Sequence, residues 1–325
     1  MFKIGNVEVK NSIVLAPLAG YTNQAYRKII KEFGVGLVYT EMISAKGLVY
    51  DNDKTWHLTE IADSEHPIAV QLFGGNAEDL VKAAVMIDQK TKADIIDINM
   101  GCPVKKVIKA DSGVKMMLDI KKAYDIVSQV VQAVKKPVSI KMRAGWDHQN
   151  VNCCEFAKAM EQAGVAMITI HGRTKSDLYG GRVNLDYIKK VKKSVKIPVI
   201  GNGDIKSVKD AVRMFEYTNV DGIMVGRGTL GNPWLMRDLV DYFSGKTTDA
   251  PPTKKEKIAM IRRHFQELLQ IKSEKIAVLE MRTLAAWYVK GFQYAKEFKQ
   301  KLISIKTKEE LNLLIDELEK SINEE

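Results

Sequence analysis

The chain has 325 residues, 46% of them hydrophobic, and a formal net charge of +10. That hydrophobic share supports a large core and excludes a disordered chain. The basic balance favours an anionic partner, nucleic acid first, against the plainer reading of lysines spent on solubility. Three cysteines, Cys102, Cys153 and Cys154, are too few for a disulfide framework and suit a reducing cytosol. The first eleven residues carry neither a basic n-region nor an apolar h-region, and no apolar run approaches the roughly 18 residues of a membrane span. A cytoplasmic protein is expected, with a monomer as the default state.

Short β-rich runs alternate with helical patterns from residue 13 to residue 243. The runs 12–16, 37–41, 68–72, 95–99, 138–142, 167–171, 199–202 and 222–226 read as strands. Helical patterns separate most of them, near 76–90, 119–134, 153–163 and 207–217. Eight such units predict an α/β fold, a parallel (β/α)8 TIM barrel. The alternative is a doubly wound open sheet, for which the eight units leave no spare crossover.

The chain then changes character. The run Asp249-Ala250-Pro251-Pro252 is a linker signal, placing the barrel at 1–248 and a small all-α helical bundle at 249–325. Thr253 with Glu256 and Thr307 with Glu310 are capping boxes. Helices are expected over 254–272, 275–290, 293–304 and 308–323, with Gly291 closing the second. In the last, Leu311, Leu314, Ile315, Leu318 and Ile322 share one face. Residues 246–308 hold fifteen Lys and Arg against six Asp and Glu, whereas the final seventeen hold seven acids and one Lys. A basic bundle ending in an acidic helix fits a nucleic-acid platform. The bland reading is a bundle with solvated charged faces.

Barrel active sites sit at the C-terminal ends of the strands. Here the strands end in Ala16-Pro17, Glu41, Gln71, Asn99, Lys141, His171, Asn202 and Gly226-Arg227. A single such Lys or His is more often a satisfied interior group. Polar ends on nearly every strand point to one shared pocket. Glycines follow strands seven and eight, in 200–205 and 225–234, where barrels commonly bind phosphate through bare backbone N–H groups. Gly203, Gly226 and Gly228 permit close backbone approach, and Asn232-Pro233 looks like a capped helix start. A mononucleotide cofactor is implied. Cys102 lies in a Gly-Cys-Pro turn just past strand four, over the pocket; the alternative is a small buried hydrophobe. Cys153 and Cys154 sit in a helix and receive no function. The five histidines lack metal-ligand spacing, and the GxG runs do not follow the first strand, so no metal and no dinucleotide fingerprint are expected.

The segments APLAGYTNQAYR (16–27), YTEMISAKGL (39–48), QLFGG (71–75), DINMGCPVKKV (97–107), KMRAGWD (141–147), HGRT (171–174), NGDI (202–205) and GRGTLGNPW (226–234) resemble the motif series of tRNA-dihydrouridine synthases, most nearly the bacterial B type. MRTLAAWYVKG (281–291) and FKQKL (298–302) are similar to the family's helical domain. Thr283 and the run Arg182-Val183-Asn184 depart from its usual pattern. The resemblance implies FMN as cofactor, NADPH as electron donor and tRNA as substrate. It places Ala16, Pro17, Leu18 and Gln71 on the flavin ring, Lys141 at the ring's N1–O2 edge and His171 against the cofactor. Asn202, Gly203, Asp204, Gly226 and Arg227 would enclose the phosphate. Cys102 would be the general acid, delivering a proton to C5 of uracil after hydride reaches C6, because an ordinary thiol stays protonated at neutral pH. Asn99 would hold uracil or flavin. Arg143 and Arg173, two residues beyond Lys141 and His171, would reach substrate by strand parity. The target uridine would leave its stack to react.

Two other readings account for part of the pattern. A barrel reducing a free pyrimidine explains the pocket but leaves the basic bundle idle. An RNA-binding protein on an inactive barrel explains the charge but makes Lys141 and Cys102 superfluous.

Overall fold

The structure, a computed structural model, describes residues 1–323. Strands β1 (Phe2–Ile4) and β2 (Val7–Val9) form an antiparallel hairpin that the sequence reading did not anticipate, turned by Gly5 at φ +57°. Eight parallel strands follow: β3 (Ile13–Leu15), β4 (Val38–Ser44), β5 (Ile68–Phe73), β6 (Ile95–Met100), β7 (Val138–Gly145), β8 (Met167–Thr174), β9 (Val199–Asn202) and β10 (Gly222–Val225). Their spatial order is β3-β10-β9-β8-β7-β6-β5-β4. A bridge between Val14 and Leu37, with Leu15 N donating to Leu37 O at 3.0 Å, joins β3 to β4 and closes the barrel.

Inward residues near the strand starts, among them Tyr39, Ala69, Ile95, Met167 and Ile200, pack with Ile4 and Val9 of the hairpin. A Cβ on Gly5 would stand 2.9 Å from Pro137 Cβ, so the hairpin lies against the entry to β7. The N-terminal end of the barrel is thereby plugged with apolar side chains, and the C-terminal end is left for chemistry.

The outer ring holds α1 (Gln24–Glu32), α2 (Ala45–Val49), α3 (Asp53–Trp56), α4 (Ala77–Lys90), α5 (Lys105–Lys109), α6 (Ile120–Ala133), α7 (Cys153–Gln162), α8 (Leu185–Ser194), α9 (Val208–Thr218) and α10 (Trp234–Phe243). Most open with a side-chain cap, such as Asn23 to Tyr26 N and Asp119 to Lys122 N. One expected cap is corrected: Asn232 does not cap α10 through its side chain. Pro233 flanks the helix instead, and Asn232 offers only its carbonyl, to Leu235 N at 3.2 Å.

Four helices complete the chain: α11 (Lys254–Ile271), α12 (Glu274–Tyr288), α13 (Ala295–Leu302) and α14 (Lys308–Asn323). Thr253 with Glu256 and Thr307 with Glu310 make the reciprocal bonds of capping boxes. Leu311, Leu314, Ile315 and Leu318 of α14 are buried in a second core that also takes Ala25 and Trp234 from the barrel. Lys28 to Glu267 (2.5 Å), Asn23 to Glu280 (3.1 Å) and a pair between Arg263 and Glu32 fix the bundle to the barrel. The acidic last helix has a structural partner: Asp316 and Glu319 pair with Arg262, and Glu317 with Lys301. Part of the bundle's basic charge is therefore answered internally. Among the described residues no helix is long and apolar enough to cross a membrane, and no cluster of His, Cys, Asp and Glu could hold a metal ion.

Candidate active site

A cavity of about 430 Å³ opens at the C-terminal ends of the strands. Thirteen of the fifteen residues singled out from sequence line it: Ala16, Pro17 and Leu18 after β3; Asn99 and Cys102 at β6; Lys141 and Arg143 on β7; His171 on β8; Asn202, Gly203 and Asp204 at β9; Gly226 and Arg227 after β10. Gln71 and Arg173 stand behind this layer. Gln71 is fully buried, with its amide bonded to Asp97 and Asn99.

Glu41, expected among the polar strand ends facing the pocket, does not line it; Met42 does. The pairing of β4 with β5 slips between Tyr39 and Met42, and that bulge changes which side chain faces inward. Glu41 accepts instead from Gly20 N, and burial pushes its carboxyl above the usual range.

Lys141 lies deep in the cavity. Its Nζ donates to Asn202 Oδ1 at 3.2 Å, and Asn202 is held in that orientation because its Nδ2 donates to Met224 O at 2.8 Å. Burial, reinforced by the nearby Arg143, lowers the Lys141 ammonium to about 8. A partly buried cation facing an amide oxygen in place of a carboxylate is prepared to receive an anion.

His171 is held far below the ordinary imidazole range, first by burial and then by Lys141, Arg143, Arg173 and Arg227. Arg173 Nη1 approaches His171 Nε2 at 3.1 Å, and a guanidinium has no lone pair to offer. Nε2 must therefore be the acceptor, which leaves a neutral ring with its proton on Nδ1. The other Arg173 donors go to Gly180 O (2.8 Å), Gly181 O (2.7 Å) and both carboxylate oxygens of Asp204. Arg173, 1% exposed, is thus a clamp between the β8–α8 loop and the turn after β9. Arg143 is 2% exposed and donates to Gly101 O (2.9 Å) and Thr174 O (2.7 Å). Both arginines are brought into the sheet because β7 and β8 run three residues beyond their expected ends.

The turn carrying Cys102 is tied down from several sides. Asn99 Oδ1 accepts from Gly101 N (3.1 Å) and Cys102 N (2.9 Å), and Cys102 O accepts from Val114 N (3.2 Å). Gly113, at φ +63°, closes the far side; a Cβ there would stand 2.6 Å from Cys102 O. Asn99 Nδ2 donates to Gln71 Oε1 (2.8 Å) and Met42 Sδ (3.0 Å), so the whole Asn99 amide is engaged within the protein. Cys102 is 8% exposed. Burial raises it above the usual thiol range against the opposing pull of Val104 N–H, Arg143 and Lys141. It is a protonated thiol at neutral pH, able to give a proton and poorly disposed to act as a nucleophile. Cys153 and Cys154 lie in α7, away from the cavity.

At the opposite end, the loops after β9 and β10 are in backbone contact: a Cβ on Gly228 would meet Ile205 O at 2.3 Å. Lys206 and the half-exposed Arg227 add positive charge there. Sequence reasoning missed three aromatic wall residues, Tyr21, Tyr179 and Trp287. Tyr179 lies beside two guanidinium groups, 5.4 Å from Arg143 and 5.2 Å from Arg227. Trp287 comes from α12, outside the barrel altogether.

The family model for dihydrouridine synthase (Dus) matches residues 14–324. The chain is 40% identical over 329 residues to tRNA-dihydrouridine synthase B of Pasteurella multocida (strain Pm70), covering 98% of each chain. It is 37% identical over 299 residues to a probable tRNA-dihydrouridine synthase of Rickettsia conorii (strain ATCC VR-613 / Malish 7), covering 92% of this chain and 90% of that one. A solved structure described as a variant of NCR from Zymomonas mobilis superposes with a TM-score of 0.55 at 18% identity, covering 79% of this chain and 93% of that one. At that identity it speaks for the barrel fold alone. With a family model and relatives matched over nearly its full length, this chain belongs to the dihydrouridine synthase family.

Proposed function

We propose that this chain reduces specific uridines of tRNA to dihydrouridine in the cytoplasm, with FMN as cofactor and NADPH as the source of electrons. The observation that carries the reading is the pairing, in one cavity, of an anion-ready Lys141 with a protonated Cys102. The residues present fit a flavin mononucleotide. Ala16, Pro17, Leu18 and Met224 give the cavity an apolar wall, Lys141 supplies a cation at its depth, and Gly203, Gly226 and Arg227 form a close-packed basic end suited to a phosphate. Gln71, His171, Asn202 and Asp204 complete the set that would hold it. When bound, the flavin supplies the hydride that uracil C6 receives.

The chain's own residues do the rest. Lys141 compensates negative charge in a water-poor site, where such compensation is strongest. His171, kept neutral, adds no further cation beside it. Cys102 Sγ–H is the proton donor to uracil C5, and its raised pKa keeps the proton in place until it is needed. Arg143 holds the Cys102 turn through Gly101 O. Arg173 acts on substrate through the loop it clamps, and Asn99 through the turn it braces.

The barrel, 1–248, is the catalytic unit and the bundle, 249–325, the tRNA-binding unit. Exposed Lys255, Lys275, Lys290, Lys296, Lys299 and Lys306 support the second assignment.

Purified protein incubated with unmodified tRNA, FMN and NADPH should yield dihydrouridine on nucleoside mass spectrometry. Free uridine should remain unreduced. Cys102→Ala should retain FMN and lose tRNA reduction. Efficient reduction of the free pyrimidine with none of tRNA would overturn the substrate assignment, and full activity of Cys102→Ala the proton-donor assignment.

A further inference from the structure

A continuous chain of buried hydrogen bonds runs from Asp97 to the turn that bears Cys102. Asp97 is on β6, two residues before Asn99 and therefore on the same face of the strand. It is fully buried. Its carboxylate accepts from Ser139 Oγ (2.6 Å) and from Gln71 Nε2 (2.7 Å). Gln71 Oε1 accepts from Asn99 Nδ2 (2.8 Å), and Asn99 Oδ1 accepts from the N–H groups of Gly101 and Cys102.

The polarity of this chain is fixed at both ends. Asp97 Oδ2 is the acceptor at one end, facing the Gln71 amide NH2, and burial pushes this carboxyl up while Ser139, Gln71 and Lys141 pull it back. The two backbone N–H groups at the far end only donate. Between them lie two amides in series, each with a donor end and an acceptor end. One orientation of each satisfies every contact. Reversing them would set oxygen against carboxylate and NH2 against N–H, all in the barrel interior.

We propose that Asp97 is a positioning residue: through Gln71 and Asn99 it fixes the amide oxygen that holds the Cys102 turn, and so places the thiol over the cavity. It touches neither substrate nor cofactor in this role. The consequence for turnover rests on the proton-donor reading of Cys102; the placement of the thiol does not, and is measured separately.

Asp97 also faces Lys141 and Tyr39, so a purely electrostatic role must be told apart from orientation. Two substitutions do this. Asp97→Asn removes the charge but keeps an oxygen for Gln71 Nε2, with the Ser139 hydroxyl able to turn and accept from the new amide. Asp97→Leu removes charge and acceptor and keeps the branched shape in a somewhat larger side chain. The readout is iodoacetamide alkylation of Cys102 across pH, followed on the Cys102 peptide, together with kcat and KM for tRNA.

We expect Asp97→Leu to alkylate at Cys102 at least about fivefold faster, with the thiol titrating closer to its ordinary range, as the turn opens more often. Its kcat should fall while KM for tRNA holds. Asp97→Asn should stay within about twofold of wild type in alkylation, because the orientation survives. Equal losses in both variants would make Asp97 a counter-charge, and wild-type behaviour of Asp97→Leu would remove it from the site; either overturns the proposal. If Asp97→Leu fails to fold, Gln71→Met cuts the same chain one link later and should also speed alkylation; an unchanged rate there is equally fatal. Absence of tRNA reduction by the wild-type protein would sink the proposed function and leave the alkylation contrast to decide this point.

Discussion

Lys141 Nζ lies 3.2 Å from the amide oxygen of Asn202, with no carboxylate in its place. The ammonium is therefore held at a cost. Burial brings it from 10.5 down to about 8, so the folded state binds this proton less tightly than the unfolded chain does. The associated stability is fully present above the unfolded value and is lost as the pH falls through about 8. Lys141→Met should accordingly raise the melting temperature of the flavin-free protein near neutral pH, by an amount that shrinks as the pH approaches about 10. The same variant should reduce tRNA poorly. A melting difference that is flat across this range would show that the Lys141 ammonium carries no such cost.

Arg173 supports a second prediction. Its guanidinium serves four acceptors in three segments, and a lysine ammonium cannot reproduce that fork. Arg173→Ala leaves Asp204 with only Arg227, at 3.9 Å, and the Val183 N–H. Because Asp204 is a quarter exposed, the loss should sit near the lower end for a broken buried pair, about 3 kcal/mol. Arg173→Lys should recover little of it. Limited proteolysis should then cut first in the 176–182 loop, whose Gly180 and Gly181 carbonyls lose their anchor. Unaltered protease resistance would show that the loop is held by other contacts.

Much of this site was legible in the sequence because strand parity and strand ends determine what reaches the mouth of a barrel. Asn99, Lys141, His171 and Asn202 are read that way, one from each strand. Parity fails where the backbone is irregular: the β4 bulge replaces Glu41 with Met42. It also gives direction without depth. Arg173 does point inward but is consumed by Asp204 and the loop carbonyls, and Gln71 is consumed by Asp97 and Asn99. The N-terminal hairpin escaped notice because two three-residue strands carry too little periodicity. Tyr179 and Trp287 could not be found by any local rule. The first arrives by a loop folding back, the second by the docking of a helix that begins about fifty residues beyond β10.

The junction between barrel and bundle yields a pH prediction. His264 of α11 is fully buried, stacked on Tyr26 at 5.4 Å, with Nδ1 3.1 Å from Tyr288 Oη and no partner for Nε2. Burial alone takes its pKa down to about 3. The neutral ring is compatible with the core and the imidazolium is not. Stability from this site is present above the unfolded value near 6.5 and is lost as the pH falls toward about 3. His264→Phe keeps the stack and removes the unpaired nitrogen. Because it also leaves the buried Tyr288 hydroxyl without its partner, it should be less stable than wild type at neutral pH and yet lose less between about pH 6 and 4. Parallel denaturation curves for the two proteins over that interval would refute the assignment.

Trp287 links the bundle to the chemistry. It lines the cavity from α12 while 38% exposed, and its backbone is pressed against Gly231, where a Cβ would stand 2.3 Å from Trp287 C. Gly231, at φ +67°, therefore sets how closely α12 approaches the loop after β10. An exposed indole beside the proposed nucleobase site would offer a stacking surface, and base–aromatic stacking is worth about 1–3 kcal/mol. Trp287→Ala should weaken tRNA binding by roughly ten- to a hundredfold at unchanged flavin content, and Trp287→Phe should restore most of it. Gly231→Ala should resemble Trp287→Ala, since a side chain at that position forces the helix outward and takes the indole with it. If Trp287→Ala binds tRNA as wild type does, the indole is only a spacer between barrel and bundle.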